Sequence, residues 1–154
     1  MRVISLVTEG IERAAEAGCL EWLFAQDADI ICLQDTHCAE HTLKGNAFFP
    51  EGYHPYFLDH YDDPRRNGVA IYCRTLPKAI IWGLGFADFD SQGLYIQADY
   101  DQFSVGSLLV PTGSANTQAM GTKQTDLRLW PSFSLTRRVE RSDRKDQTKK
   151  LALV

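Results

Sequence analysis

The sequence lacks any uncharged apolar run approaching the roughly 18 residues that cross a bilayer. It also lacks a basic stretch leading into an apolar one at its amino terminus, as a signal peptide would have. The reading is a cytoplasmic protein with no membrane partner. Its four cysteines, Cys19, Cys32, Cys38 and Cys73, contain no Cys-x-x-Cys pair. That spacing argues against a disulfide framework and leaves reduced thiols. No segment repeats, and no histidine follows His60; the four are His37, His41, His54 and His60.

What is present suits one ordinary globular domain: 154 residues, 44% hydrophobic and 11% aromatic, enough for a sizeable core. Charge is unevenly placed. Residues 1–124 carry 8 Lys and Arg against 16 Asp and Glu, whereas residues 125–154 carry 8 against 4. An acidic main body argues against generic nucleic-acid binding through bulk charge, since phosphate neutralisation supplies most non-specific affinity.

The stretch RVISLV (Arg2 to Val7) reads as a continuous apolar strand. After it, apolar residues at Ile11, Ala15, Cys19, Trp22 and Leu23 recur at helical spacing, with Thr8 as the expected N-cap and Gly18 as a weak interior position. ADIICLQ (Ala28 to Gln34) supplies a second strand, so the first 36 residues predict a βαβ unit. Neither strand alternates, which predicts burial on both faces. Short strands follow in YHPYFL, GVAIYC, AIIWGLG, LYIQADY and FSVGSLLVP, separated by turn-rich pieces. The fold class is therefore α/β (α+β), a mostly antiparallel mixed sheet behind an N-terminal βαβ unit. From about Gly121 the periodicity stops.

In this order, MRVIS, QDADIICLQDT, GYHPYF, NGVAIYCR, GLGFADFD, GLYIQADY and SLLVPTG resemble the amino-terminal half of the exonuclease III-like group of the endonuclease/exonuclease/phosphatase superfamily. Within it the segments look closest to catabolite repression control proteins. The resemblance covers about residues 1–120 and implies half of a four-layer α/β sandwich. It also implies that residues 121–154 are a basic tail unrelated to the family, frame-shifted or poorly ordered, because a family domain needs roughly 250 residues.

An active member of the group holds a divalent metal, usually magnesium, at a phosphate, and magnesium takes one or two carboxylates plus waters. The metal acid follows Leu-Gln, and here that place is Asp35 where the family has Glu. Other family positions are degenerate. Val7 and Glu9 stand where S-x-N-x-N-G has asparagines, Leu94 where an Arg follows glycine, and Leu109 where a Tyr faces phosphate. Each replacement removes a polar group from where charge would develop. The later Asp-x-Asn and Asp-His pairs have no counterpart.

Plain readings stand beside these. The leading reading of Asp35 is a solvated strand end, ahead of a metal ligand. The group Asp35, His37, Cys38, Glu40 and His41 matches no zinc spacing. DHYDDPRR (Asp59 to Arg66) reads as an exposed turn. Arg137, Arg138 and Arg141, with Arg144 and Lys145, could contact phosphates as a nucleic-acid-binding arm, although Glu140, Asp143 and Asp146 dilute them. Trp22, Phe24, Phe48, Phe49, Phe57 and Trp82 are expected in the core. A lone half sandwich would leave one sheet face open unless Leu127, Leu129, Trp130 and Phe133 fold over it.

The resemblance thus implies a catalytically degenerate relative of catabolite repression control proteins, acting with the RNA chaperone Hfq on A-rich messenger RNA. A magnesium-dependent exodeoxyribonuclease III or AP endonuclease acting on DNA is the alternative, and a product of a decayed gene is a third reading.

Overall fold

In the computed structural model, residues 1–110 and 150–154 are described. Two four-stranded sheets pack face to face. The first has the order β1 (Val3–Val7), β2 (Ile30–Gln34), β4 (Val69–Cys73), β3 (His54–Leu58); the second runs β5 (Ala79–Trp82), β6 (Tyr95–Asp99), β7 (Phe103–Leu108), β8 (Lys150–Leu153). β1 and β2 are parallel, as the βαβ reading predicts, and β7 and β8 are also parallel. Every other pairing is antiparallel. The mixed α/β class with mostly antiparallel pairing is what the sequence implied.

The open inner face that a missing second sheet would leave does not arise, because a second sheet covers the first. Ile30, Cys32, Val69, Ile71 and Cys73 on the first sheet meet Ile96, Ala98 and Val105 on the second, all 2% exposed or less. A buried aliphatic side chain of this kind contributes about 1.5–3 kcal/mol, so this interface alone gives β5 to β7 a reason to fold onto the first sheet. Leu20, Leu23, Ile31, Leu33 and Tyr72 form a second cluster under the helices. β2 and β4 are buried at all five positions and carry both clusters, as unbroken apolar strands should. β1 departs from that pattern. As an edge strand it leaves Ser5 and Val7 exposed although its sequence is equally apolar.

The single helix expected after β1 is two: α1 (Ile11–Glu16) and α2 (Cys19–Phe24). Gly18 separates them in a left-handed conformation (φ 74°), which a residue without a β-carbon adopts at little cost. Gly10 rather than Thr8 is the N-cap of α1. The aromatic expectation holds for Phe57, and Phe24 and Phe48 pack on the helix-side core. It fails for Trp22, Phe49 and Trp82, which are 61%, 38% and 55% exposed. Trp22 lies on the outward side of α2, while Trp82 ends β5 beyond the sandwich core. Arg137, Arg138, Arg141, Leu127, Leu129, Trp130 and Phe133 lie outside the described residues; within the expected tail, Lys150–Leu153 adds β8 to the second sheet.

One buried polar link joins the layers. Gln34 Nε2 donates to Ser107 Oγ (2.8 Å), Ser5 Oγ donates to Gln34 Oε1 (3.1 Å), and Ser107 Oγ reaches Leu33 O (3.3 Å). Gln34 and Ser107 are 4% and 0% exposed. Gln34→Ala would leave the Ser107 hydroxyl oxygen without the N–H donor it accepts from and open a gap beside it. The expected loss is about 1–3 kcal/mol in urea unfolding, and a change below about 0.5 kcal/mol would show that the link carries no stability.

Candidate functional site

The first sheet directs four chain segments to one end: the carboxyl ends of β1, β2 and β3, and the amino end of β4. Asp35 follows the last residue of β2 at that end. The second sheet presents the carboxyl end of β5 and the amino end of β6 on the same side, because Asn67 Nδ2 donates to Gln92 O (3.2 Å) and Tyr61 N to Ser91 O (2.8 Å). Cleft-forming loops therefore gather around Asp35.

A dense backbone net fixes its position. Asp35 O accepts from Gly10 N (2.9 Å) and Thr8 Oγ1 (3.0 Å), and Thr36 O accepts from Ile11 N (2.8 Å). On the other flank, Thr36 N donates to Gly68 O (3.1 Å) and His37 N to Asn67 O (2.9 Å). The turns that meet here are strained. Glu9, Asp35, His37 and Asn67 all have φ between 49° and 60°, and Gly10 and Gly68 stand at 102° and 96°. Non-glycine residues in this region cost on the order of 1–3 kcal/mol each and persist where surrounding structure over-determines them, commonly at functional sites. This strain is the geometric feature that separates Asp35 from an ordinary strand end.

The Asp35 carboxylate is 26% exposed, and His37 Nε2 lies 2.7 Å from its Oδ1. Of the five candidate ligands in the loop, only these two meet. Cys38 is buried, and its thiol is pushed up to about 11 by burial, against a hydrogen bond from Thr36 that lowers it. Glu40 and His41 instead border a cleft of about 520 Å3 with Leu43, Phe49 and Asp59, opening at the same end. Among the described residues no group of three His, Cys, Asp or Glu side chains could enclose a metal. That donor set does not suit zinc, which needs three or four protein ligands. It suits magnesium, which binds through one or two carboxylates and keeps its waters. Asp35 would hold it, through a carboxylate with one oxygen engaged by His37.

The other family positions divide. Val7 pairs with Gln34 in the β1–β2 register and Glu9 follows in the strained turn, so both border Asp35. Val7 is 57% exposed and offers no polar group there. Leu94 immediately precedes β6 and Leu109 immediately follows β7, and Leu109 N donates to Leu94 O (2.9 Å); Leu94 is buried and Leu109 packs on the inter-sheet core. In DHYDDPRR, Arg65 Nε pairs with Asp63 Oδ1 (3.1 Å) and holds that carboxyl below its usual range, and His60 Nδ1 accepts from Asp62 N and Asp63 N. It is a self-satisfied exposed turn. Thr8 was read from sequence only as an N-cap, and Thr36, Asn67 and Gly68 were not singled out; the Asn-Gly pair, a strong signal for left-handed backbone, was the available clue.

Burial also sets thiol reactivity. Cys38 and Cys73 are raised to about 11, and Cys32 is raised further by burial beside Cys73. Since the thiolate is the nucleophile, iodoacetamide at pH 8 is expected to label native protein at the half-buried Cys19 alone, with all four labelled in urea. Native labelling of Cys32 or Cys38, read by peptide mass, would contradict the packing described.

Comparison with known proteins places this geometry. The chain is 30% identical over 126 residues to the DNA repair nuclease APEX1 of Danio rerio, covering 81% of this chain and 41% of that protein. It is 28% identical over 129 residues to a DNA-(apurinic or apyrimidinic site) endonuclease of Dictyostelium discoideum, covering 84% and 34%. Among solved structures, the Xenopus laevis APE2 catalytic domain superposes with a TM-score of 0.62 at 27% identity, covering 74% of this chain and 46% of that one. An AP endonuclease from Archaeoglobus fulgidus gives 0.59 at 26%, covering 72% and 41%. The chain spans about two fifths of the length of the curated relatives it matches. These relatives carry DNA-repair names, so the resemblance to catabolite repression control proteins gains no support from them. Residues 11–153 match the Endonuclease/Exonuclease/phosphatase family, and with the shared two-sheet fold this establishes that the chain belongs to that family.

Proposed function

We propose that this chain is a DNA-directed member of the family, of the AP endonuclease and exonuclease III type, in which Asp35 supplies one carboxylate to a divalent metal at a phosphodiester. The observation that carries the reading is the position of Asp35: a strained, half-exposed acid at the strand-end mouth of a fold shared with AP endonucleases. Magnesium bound there would polarise a phosphoryl oxygen and neutralise charge. The chain's own contribution is to hold the Asp35 main-chain carbonyl through Thr8 and Gly10, to fix the neighbouring Thr36 through Gly68, and to orient the carboxylate through His37.

Val7, Leu94 and Leu109 offer no proton-transfer or charge-stabilising group at the family positions they occupy. The reading is therefore of a protein that recognises DNA better than it cleaves it. The acidic body disfavours bulk phosphate attraction, so recognition depends on the metal and on stacking. At the Asp35 end, Tyr61 and Phe86 on loops and Trp82 at the carboxyl end of β5 are 84%, 68% and 55% exposed. Base stacking on an aromatic is worth about 1–3 kcal/mol, so Trp82→Ala is expected to weaken binding to an abasic duplex about 5- to 150-fold in fluorescence anisotropy. Tighter binding to A-rich RNA than to abasic DNA would reject the reading in favour of RNA regulation.

A further inference from the structure

The two sheets end on the same side of the sandwich. β2 packs over β7 and β4 over β6, which places the edge strand β1 over the edge strand β8. Among the described residues β1 pairs with β2 alone. Thr8 N donates to Gln34 O (2.9 Å), so in this parallel ladder Ile4, Leu6 and Thr8 turn their backbone groups to β2. Val3, Ser5 and Val7 turn theirs outward. An apolar edge whose outward donors and acceptors have no strand partner among the described residues is a template for another strand, and this one has no lysine, proline or bulge to block it.

We infer that the β1 edge is the interface of a symmetric dimer, its occupant being the β1 strand of a second copy of this chain. The sequence of the edge is self-complementary. VISLV reads nearly the same in both directions about Ser5, so antiparallel pairing centred there sets Val3 opposite Val7, Ile4 opposite Leu6, and Ser5 opposite its own copy. Only in such a register do all three outward residues face outward residues, each pair exchanging two hydrogen bonds. Charge agrees at both ends: the register lays the exposed Arg2 of one copy beside Thr8 and the exposed Glu9 of the other. The exposed Val7 side chain gains cover, and the two-fold axis satisfies the requirement that one patch serve both partners. The inference concerns assembly and stands independently of the proposed activity.

Sedimentation velocity of the full chain from about 1 to about 100 µM tests it. A dimer is expected, and Val7→Lys, which adds a charge at an exposed position, is expected to shift it to monomer by at least tenfold in dissociation constant with an unchanged circular dichroism melt. Ser5→Cys gives a second readout: residues facing across an antiparallel pair lie about 5.5 Å apart, within disulfide reach. Oxidation should yield a covalent dimer that wild type does not form. A wild-type chain that stays monomeric throughout, or a dimer indifferent to Val7→Lys whose Ser5→Cys form fails to cross-link, overturns the inference.

Discussion

Gly68→Ala is expected to lower stability by about 2–4 kcal/mol and to disorder the turn that holds Asp35. Two penalties combine. Gly68 has φ 96°, where a side chain is strained, and a β-carbon there would overlap Thr36 Oγ1. Thr36 is 1% exposed and cannot move aside without vacating a core position, and its N–H is the group that Gly68 O accepts. Relief of the overlap would therefore pull Thr36 from Gly68 and drag Asp35 and His37 with it. Urea unfolding measures the loss. Gly45→Ala is the control, since Gly45 also has positive φ (96°) but nothing lies near its added carbon. If the two variants lose equal stability, the close approach at Thr36 contributes nothing and the strained turn is not held as described.

The second large effect concerns function. Asp35→Asn preserves size but removes the charge that magnesium requires of its one protein carboxylate. With Asp35 as the only carboxylate of the group that meets another candidate ligand, the variant is expected to lose metal-dependent DNA affinity almost entirely, by tenfold or more, while folding normally. His37→Gln serves as its companion. His37 contacts one carboxylate oxygen and leaves the other, so this variant is expected to weaken the metal response without abolishing it. Equal loss in both would mean that the imidazole is itself indispensable to the metal.

Legibility from sequence followed the physics of each element. β2 and β4 were readable because a strand buried on both faces is mostly apolar, as IICL and VAIYC are, with Gln34 at the end of β2 buried only because Ser5 and Ser107 satisfy it. β1 has the same composition and is an edge, so apolar content alone could not distinguish a covered strand from an uncovered one. The helix after β1 was legible as a period but not as two pieces, since a single glycine is tolerated in some helices and breaks this one through its left-handed backbone. Aromatics misled for a related reason: Trp22 and Trp82 fit the apolar rhythm, and exposure depends on which neighbours the tertiary fold supplies. At the site, Asp35 was legible by position after Leu-Gln. Its support from Thr8, Thr36 and Gly68 was not, because those contacts join segments far apart in sequence and all but the Thr8 hydroxyl act through backbone atoms, which leave no side-chain signature.

The account rests on Asp35 being a metal carboxylate in a DNA-directed site. Its most direct test is anisotropy of an abasic duplex titrated with wild-type protein and with Asp35→Asn, each with and without magnesium. The expected result is that magnesium tightens wild-type binding about tenfold or more and leaves the variant unchanged. An equal response of both proteins to magnesium, or no binding of abasic DNA by wild type in its presence, would contradict it.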